Sequence, residues 1–373
     1  MKRAMLVKML EEFTLNEVKP LAHELDQDER FPSETVEKLA QYNLMGLPFD
    51  RKYGGAGAPY GAYVDTVRIL SQQCATTGVI LSAHTSLCAS PIDQYGTEEQ
   101  KEKYLIKLNK GEYLGAFGLT EPSAGTDASK QQTKAVDKGE YYEITGSKIF
   151  ITNAIYADVY IIFAMTNPEL GLKGISAFIL EKNTEGFSFG PKEKKMGIKG
   201  SSTCELIFDK IKIPKENLLG KVGEGFKIAM ATLDGGRIGI AAQALGIAEG
   251  ALDRAVSYVK TRKQFDKPIA SFQNTQFVIA DMKTDIEAAR GLLDKAVYEK
   301  ENNINYTLSA AMAKLYASRI AVDVANKAIQ LMGGYGYIRD YEIERYLRDA
   351  KITEIYEGTS EVQKMVIAGK VLR

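Results

Sequence analysis

The 373-residue sequence predicts an α+β protein built from three consecutive parts: an N-terminal all-α domain, a middle antiparallel β-domain and a C-terminal four-helix bundle. Three observations predict this. Apolar residues recur at spacings of three and four up to about residue 112, and again from about 221 onward. Between these limits lie short stretches rich in β-branched and aromatic residues, separated by Gly, Asn and Asp turns. Those strands follow one another without intervening helical stretches, which makes the sheet antiparallel.

In residues 1–112 the helical spacing is carried by "VKMLEEFTLNEVKPLAHEL", "SETVEKLAQYNLMGL" and "AYVDTVRILSQQCATTGVILSAHTSL", with "KYGGAGAPY" as a loop between helices. Residues 113–220 supply the strands "YYEITGSKIFITNA", "DVYIIFAM", "ISAFILEK", "FSFG" and "CELIFDKIKIP". Residues 221–373 return to long helical periodicity in "GFKIAMATLDGGRIGIAAQALGIAEGALDRAVSYVKTR" and the two long stretches after it. Long helices on short connections describe an up-and-down bundle.

Composition excludes several functions. Lys plus Arg and Asp plus Glu both total 48, so no basic excess points to nucleic acid or to an anionic membrane surface. The longest apolar run, Ile238 to Ala248, is too short to span a bilayer. The N-terminal "MKRAMLVKMLEEF" lacks a long apolar core and a small-residue cleavage site, and reads as an amphipathic helix. Cys74, Cys88 and Cys204 are widely spaced with no CxxC pair, which argues against a disulfide frame and for a reducing compartment. With only His23 and His84 present, no histidine-based metal centre is expected. These readings together describe a cytoplasmic, soluble protein.

No GxGxxG follows a strand and opens a helix, and no Walker loop, GxSxG or HExxH occurs. Other stretches carry the chemical interest. "FGLTEPSAGTDAS" (117–129) is a turn-rich loop dense in hydroxyls and backbone amides, groups that suit the polar edge of a flat heterocycle. "KIFITNA" (148–154) places Phe150 and Thr152 on one face of a strand. "TRKQFDKPIASFQ" and "QLMGGYGY" interrupt the bundle. In "TEIYEGTSEVQ" the glutamates Glu354, Glu357 and Glu361 would share one face of an uninterrupted helix. Gly358 breaks that helix, however, and Ser360 with Gln363 fits a capping box opening a new one. Glu357 is then left at the junction beside Ile355 and Tyr356.

In this order and at these separations, "LTEPSAGTD", "KIFITNA", "RKQFDKP", "QLMGGYGY" and "RDAKITEIYEGTSE" resemble the acyl-CoA dehydrogenase family over essentially the whole chain. "LSAHTSLCAS" and "TLDGGRIGIAAQALGIAEGA" incline the likeness toward its short-chain, butyryl-CoA branch. The resemblance implies FAD between the β-domain and the bundle, bordered by Phe117, Leu119 and Thr120, with Gly125 and Thr126 near the pyrophosphate and Thr126 also near the substrate. Phe150, Ile151 and Thr152 would lie along the flavin face opposite the substrate. Arg262, Phe265, Gln273, Gln330, Gly333 and Gly334 would reach the FAD of a neighbouring subunit, so the cofactor site would be complete only in an oligomer, expected to be a homotetramer built as two dimers. Thr359 and Glu361 would lie near the adenylate.

By the same resemblance Glu357 is the catalytic base of an α,β-dehydrogenation of acyl-CoA to 2-enoyl-CoA, or of the reverse reduction. Asp234, Arg237, Tyr356 and Gly358 would contact the substrate. Some relatives carry the base beside the arginine that matches Arg237; here that neighbour is Gly236, so Glu357 has no competitor. Electrons would pass to an electron-transferring flavoprotein. Branched-chain or aryl-acyl thioesters, an oxygen-using acyl-CoA oxidase and a flavin-free scaffold are the other readings the sequence leaves open.

Overall fold

A computed structural model describes residues 3–372. Helices α1 (Arg3–Phe13), α2 (Ser33–Gln41), α3 (Tyr60–Gln73) and α4 (Ala75–Ser82) dominate the N-terminal part. Helix α4 runs on through a π-helical stretch, Ala83–Ala89, into Ser90–Tyr95. That stretch points His84 at the first strand. The His84 Nδ1 accepts the Gly115 N–H at 3.0 Å and Nε2 faces the Leu108 carbonyl at 3.1 Å, so Nε2 carries the proton. Burial holds the ring neutral, with its pKa pushed down to about 4.

The middle part is one sheet of β1 (Gly115–Gly118), β2 (Lys134–Asp137), β3 (Tyr141–Thr152), β4 (Val159–Met165), β5 (Ile175–Glu181), β6 (Phe187–Phe189), β7 (Thr203–Pro214) and β8 (Leu218–Leu219). The order is β6-β7-β3-β2-β4-β5-β8, with β1 paired to β4 off this path. The sheet is not wholly antiparallel: β1 runs parallel to β4, and β2 touches β4 in parallel through Lys134 and Met165. Strand β1 enters from the helical part rather than from a hairpin, so a parallel pairing is open to it.

The C-terminal part holds α5 (Gly225–Thr261), α6 (Gln273–Glu301), α7 (Thr307–Met332), α8 (Ile343–Thr353) and α9 (Ser360–Val371). Every residue of α5 from Gly235 to Leu252 is buried, its apolar residues on all sides and Arg237, Gln243 and Glu249 through polar partners. Its small residues admit neighbours to backbone contact: an added Cβ at Gly246 would stand 2.1 Å from the Arg68 carbonyl oxygen on α3. One core runs through both helical parts, joining Leu10, Tyr63, Leu245, Leu293 and Ala317. Within it, Glu249 of α5 accepts from Arg68 at 2.7 Å and Gln72 at 2.6 Å, and also pairs with Arg290 of α6. A buried carboxylate met by two guanidinium groups and an amide is compensated, and it fixes how the three helices meet.

Candidate active site

Helix α8 ends at Thr353, and the six residues to Thr359 form a junction before α9. Its backbone is unusual: Glu357 has φ 52° and Gly358 φ 91°. A left-handed glutamate costs on the order of 1 kcal/mol and persists only where the surroundings enforce it. They do so through side chains from two helices. Ser318 of α7 donates to the Thr353 carbonyl at 2.8 Å, and Lys314 of α7 donates to the Gly358 carbonyl at 2.7 Å. Gln363 of α9 donates to the carbonyls of Gly358 at 2.8 Å and Glu357 at 3.3 Å. The N-cap of α9 is Thr359, one residue before Ser360, and Gln363 is spent on the junction rather than on a capping box. Among the described residues no acceptor meets the Glu357 N–H.

The Glu357 side chain crosses to α5. An added Cβ at Gly236 would stand 2.0 Å from its Oε2, so the carboxylate lies directly on the glycine. Oε2 is sealed from solvent with no hydrogen-bond partner. Burial pushes this carboxyl up to about 7, against the opposing pull of Lys314 and Arg237. An unpartnered buried carboxylate near neutrality is what proton abstraction at physiological pH requires. Glu354, by contrast, is ion-paired with Lys351 at 2.7 Å, and Glu361 is exposed in the first turn of α9.

Beside the base, Arg237 pairs with Asp234, whose other oxygen accepts from Thr307 at 2.7 Å. The Arg237 Nε is buried and unpartnered. Tyr356 donates to the Gln243 amide oxygen, and Gln243 in turn donates to the Ala75 carbonyl at 3.0 Å. This chain of bonds makes a polar floor between α5 and the junction.

Of the segments assigned to the flavin, the one that carries Phe117 and Leu119 shares a hydrophobic cluster with the start of α5. Phe117 and Leu119 share a cluster with Ile228, Phe226 and Leu233, a few residues before Gly236. Phe150 is 61% exposed and has φ 58°, next to a register shift between β3 and β7. An exposed aromatic ring held in a strained backbone suits a flat ligand laid on it. Thr120 and Thr152 are half-buried, and Thr126 is exposed. The side chains of Leu119 and Ile151 are buried in hydrophobic clusters, so these two residues offer a cofactor their backbone.

Sequence reasoning passed over what staples these segments together. Lys148, fully buried, donates to Glu121 at 2.6 Å, Gln131 at 3.1 Å and the Leu119 carbonyl at 3.3 Å. Glu121 also accepts the Thr133 N–H at 3.1 Å. An acidic residue in "LTEPSAGTD" and a basic one in "KIFITNA" were the available signal.

The remaining cofactor assignments lie elsewhere. Arg262, Gln330, Gly333 and Gly334 line a cavity of about 440 Å³ at the end of α5. Leu233 lies on α5 and Arg262 caps its C-terminal end 29 residues later, roughly 43 Å away at 1.5 Å per residue. One dinucleotide cannot touch both within a chain. Phe265 is 86% exposed and Gln273 opens α6 on the surface. Thr359 and Glu361 line a third depression, of about 580 Å³, with Arg319, Tyr316 and Lys351. An added Cβ at Gly125 or Gly334 would meet no atom of the chain within 4 Å, so internal packing does not require these positions to be bare, whereas Gly333 has φ 61° and its backbone alone favours glycine. Open glycines beside an arginine fork fit the close approach of a pyrophosphate. The residues present fit FAD.

The site thus joins a carboxyl pressed on a helix, an exposed aromatic ring on a sheet and an arginine beside open glycines. The chain belongs to the acyl-CoA dehydrogenase family, a family of FAD-dependent oxidoreductases: its N-terminal domain matches over residues 2–112, its middle domain over 116–211 and its C-terminal domain over 223–372. The short-chain specific acyl-CoA dehydrogenase of Clostridium acetobutylicum is 60% identical over 366 residues, covering 98% of this chain and 97% of that protein. The butyryl-CoA dehydrogenase of Megasphaera elsdenii superposes with a TM-score of 0.98 at 51% identity, covering 100% and 98% of the two chains. A chain from the structure of the electron transferring flavoprotein of Acidaminococcus fermentans, a study of flavin-based electron bifurcation, superposes at 0.99 with 53% identity, covering 100% and 98%. Among the described residues no helix is long and apolar enough to cross a membrane.

Proposed function

We propose that this enzyme dehydrogenates a short-chain acyl-CoA to the 2-enoyl-CoA, with Glu357 as the base that takes the α-proton. The observation that carries the proposal is the Glu357 carboxylate, sealed against Gly236 with Oε2 unpartnered and its pKa pushed up to about 7 by burial. Bound FAD supplies the acceptor for the hydride that leaves the β-carbon.

The chain's own residues do the rest. The thioester is taken up beside the junction and α5, where its binding expels water and brings the α-carbon within reach of the base. The free Glu357 N–H serves the thioester oxygen as negative charge develops there; such donors stabilise the transition state more than the bound substrate. Thr126 with Asp234 and Arg237 lines the approach, the buried Arg237 Nε awaiting an acceptor. Tyr356 and Gly358 border the acyl group, with the Tyr356–Gln243 hydrogen bond beneath it.

The distance along α5 supports a cofactor shared between subunits. Phe117, Leu119, Thr120, Gly125, Thr126, Phe150 and Thr152 hold FAD from one protomer, with Thr359 and Glu361. Arg262, Phe265, Gln273, Gln330, Gly333 and Gly334 reach it from another, in a homotetramer of two dimers. Residues 113–220 then bind flavin and acyl-CoA, and residues 221–373 carry the base and the inter-subunit cofactor contacts, beside the helical domain of residues 1–112. An electron-transferring flavoprotein exchanges the electrons; the chain carries no nicotinamide fingerprint.

Anaerobic titration of the yellow enzyme with acyl-CoAs of increasing length tests the proposal. Butyryl-CoA should bleach the flavin stoichiometrically, and longer or aryl thioesters should do so less well. Failure of every saturated acyl-CoA to reduce the flavin would contradict it.

A further inference from the structure

We propose that Lys314 is a positioning residue for the base: its ammonium holds the Gly358 carbonyl, and with it the left-handed turn at Glu357, and its charge sets the ionisation of the Glu357 carboxylate from behind. The inference rests on Glu357 as the base and adds what tunes it.

A lysine with 0% exposure in the middle of a long helix is costly unless something uses the charge. Its one hydrogen bond is to a neutral acceptor, the Gly358 carbonyl, at 2.7 Å. A carbonyl does not compensate an ammonium, so the helix carries an unneutralised cation beside the junction. The carboxylate that could neutralise it, Glu357, is turned toward Gly236 and leaves Oε2 free. Two opposing demands explain this arrangement. A direct ion pair would lock the carboxylate as an anion, poorly basic and pinned away from the substrate. No cation at all would leave a buried carboxyl protonated well above neutrality. A cation one residue removed, anchored through the backbone, keeps the base both ionisable and free to move.

The groups facing Glu357 are few. Arg237 comes from α5, already paired with Asp234, and Lys314 comes from α7. Tyr60 and Tyr63 approach from α3, and Tyr356 adjoins in sequence; burial raises all three, so they are neutral near pH 7. Glu354 and Glu361 act on Lys314 from the junction's far side. Burial lowers Lys314 itself to about 8, so it still carries its proton at neutral pH.

Lys314→Gln keeps a donor for the Gly358 carbonyl without the charge, and Lys314→Met removes both. The test is the infrared carboxyl band of the FAD-loaded enzyme without acyl-CoA, assigned by its loss in Glu357→Gln and followed through pH. The native midpoint should lie at about 7. In both variants it should move up by about one pH unit. The acid limb of flavin reduction by butyryl-CoA should move with it, and the alkaline plateau should fall only in Lys314→Met, where the turn loses its anchor. An unchanged midpoint in Lys314→Gln overturns the inference, even if the melting temperature drops. If instead Glu357→Gln reduced flavin at the native rate, the base assignment would fail, and the infrared midpoint would still report whether Lys314 sets this carboxyl.

Discussion

Replacing Gly236 by alanine should disable the enzyme without unfolding it. The added methyl carbon would stand 2.0 Å from Glu357 Oε2, 3.1 Å from its Cδ and 2.8 Å from Leu87 Cδ2. Non-bonded atoms settle at about 3.5–4.0 Å, so the carboxylate must retreat by more than about 1 Å. The colliding atoms are the ends of two side chains, with no backbone among them, and both can give way. The helix gains on its own account, since alanine is preferred to glycine by about 1 kcal/mol in a helix interior. The fold therefore holds while the base is misplaced, and a displacement near 1 Å costs roughly 10²-fold in rate. Anaerobic flavin reduction by butyryl-CoA, read beside a thermal melt, measures both effects. Native reduction by a stably folded Gly236→Ala protein would refute the placement of the carboxylate on α5.

Glu357→Gln should raise stability at alkaline pH. Burial lifts the folded carboxyl from 4.5 to about 7, so its favourable contribution is complete below 4.5 and is lost as pH rises through 7. Above that, the native carboxylate costs up to about 3 kcal/mol, reduced by whatever solvent reaches it. The amide escapes this cost, so the variant should melt a few degrees higher near pH 8, with the gap closing toward pH 5 in differential scanning calorimetry. A carboxylate moved to position 236 cannot coexist with a long side chain at 357, so Gly236→Glu should restore partial flavin reduction when combined with Glu357→Gly, which also suits the left-handed turn, and not with Glu357→Gln. Arg262→Ala should weaken FAD retention and assembly together. A fully flavinated, active monomer in light scattering would remove the shared cofactor site.

What the sequence disclosed and what it withheld divide along a physical line. The strands of β3, β4, β5, β6 and β7 were legible because period-two patterns and turn residues are local. Strand β1 was not, because four residues opening a glycine-rich loop carry no period, and its parallel pairing depends on β4, more than forty residues later. Helical periodicity reported which faces of α3 and α5 are apolar, but not that they meet each other in one core. At the site, the junction that holds Glu357 was legible because Gly358 breaks the glutamate stripe, whereas the residue's role as base is what the family resemblance implies. Lys314, Lys148 and Glu121 were passed over because a charged residue in a sequence reads as solvated, and their burial depends on partners 27 or 44 residues away. The capping assignment slipped by one residue, from Ser360 to Thr359, because Gln363 had a better use in closing the turn. Strand alternation sends the Ile151 side chain inward between Phe150 and Thr152, a detail that reading the motif whole passes over.

The central claim is that Glu357 removes the α-proton, and the rate of flavin reduction in Glu357→Gln tests it most directly. The amide keeps the side chain's volume and cannot accept the proton. Followed anaerobically by stopped flow with butyryl-CoA, the variant should remain yellow, bind the thioester and reduce its flavin at least about 10³-fold more slowly than the native enzyme. Reduction at a near-native rate would contradict the account.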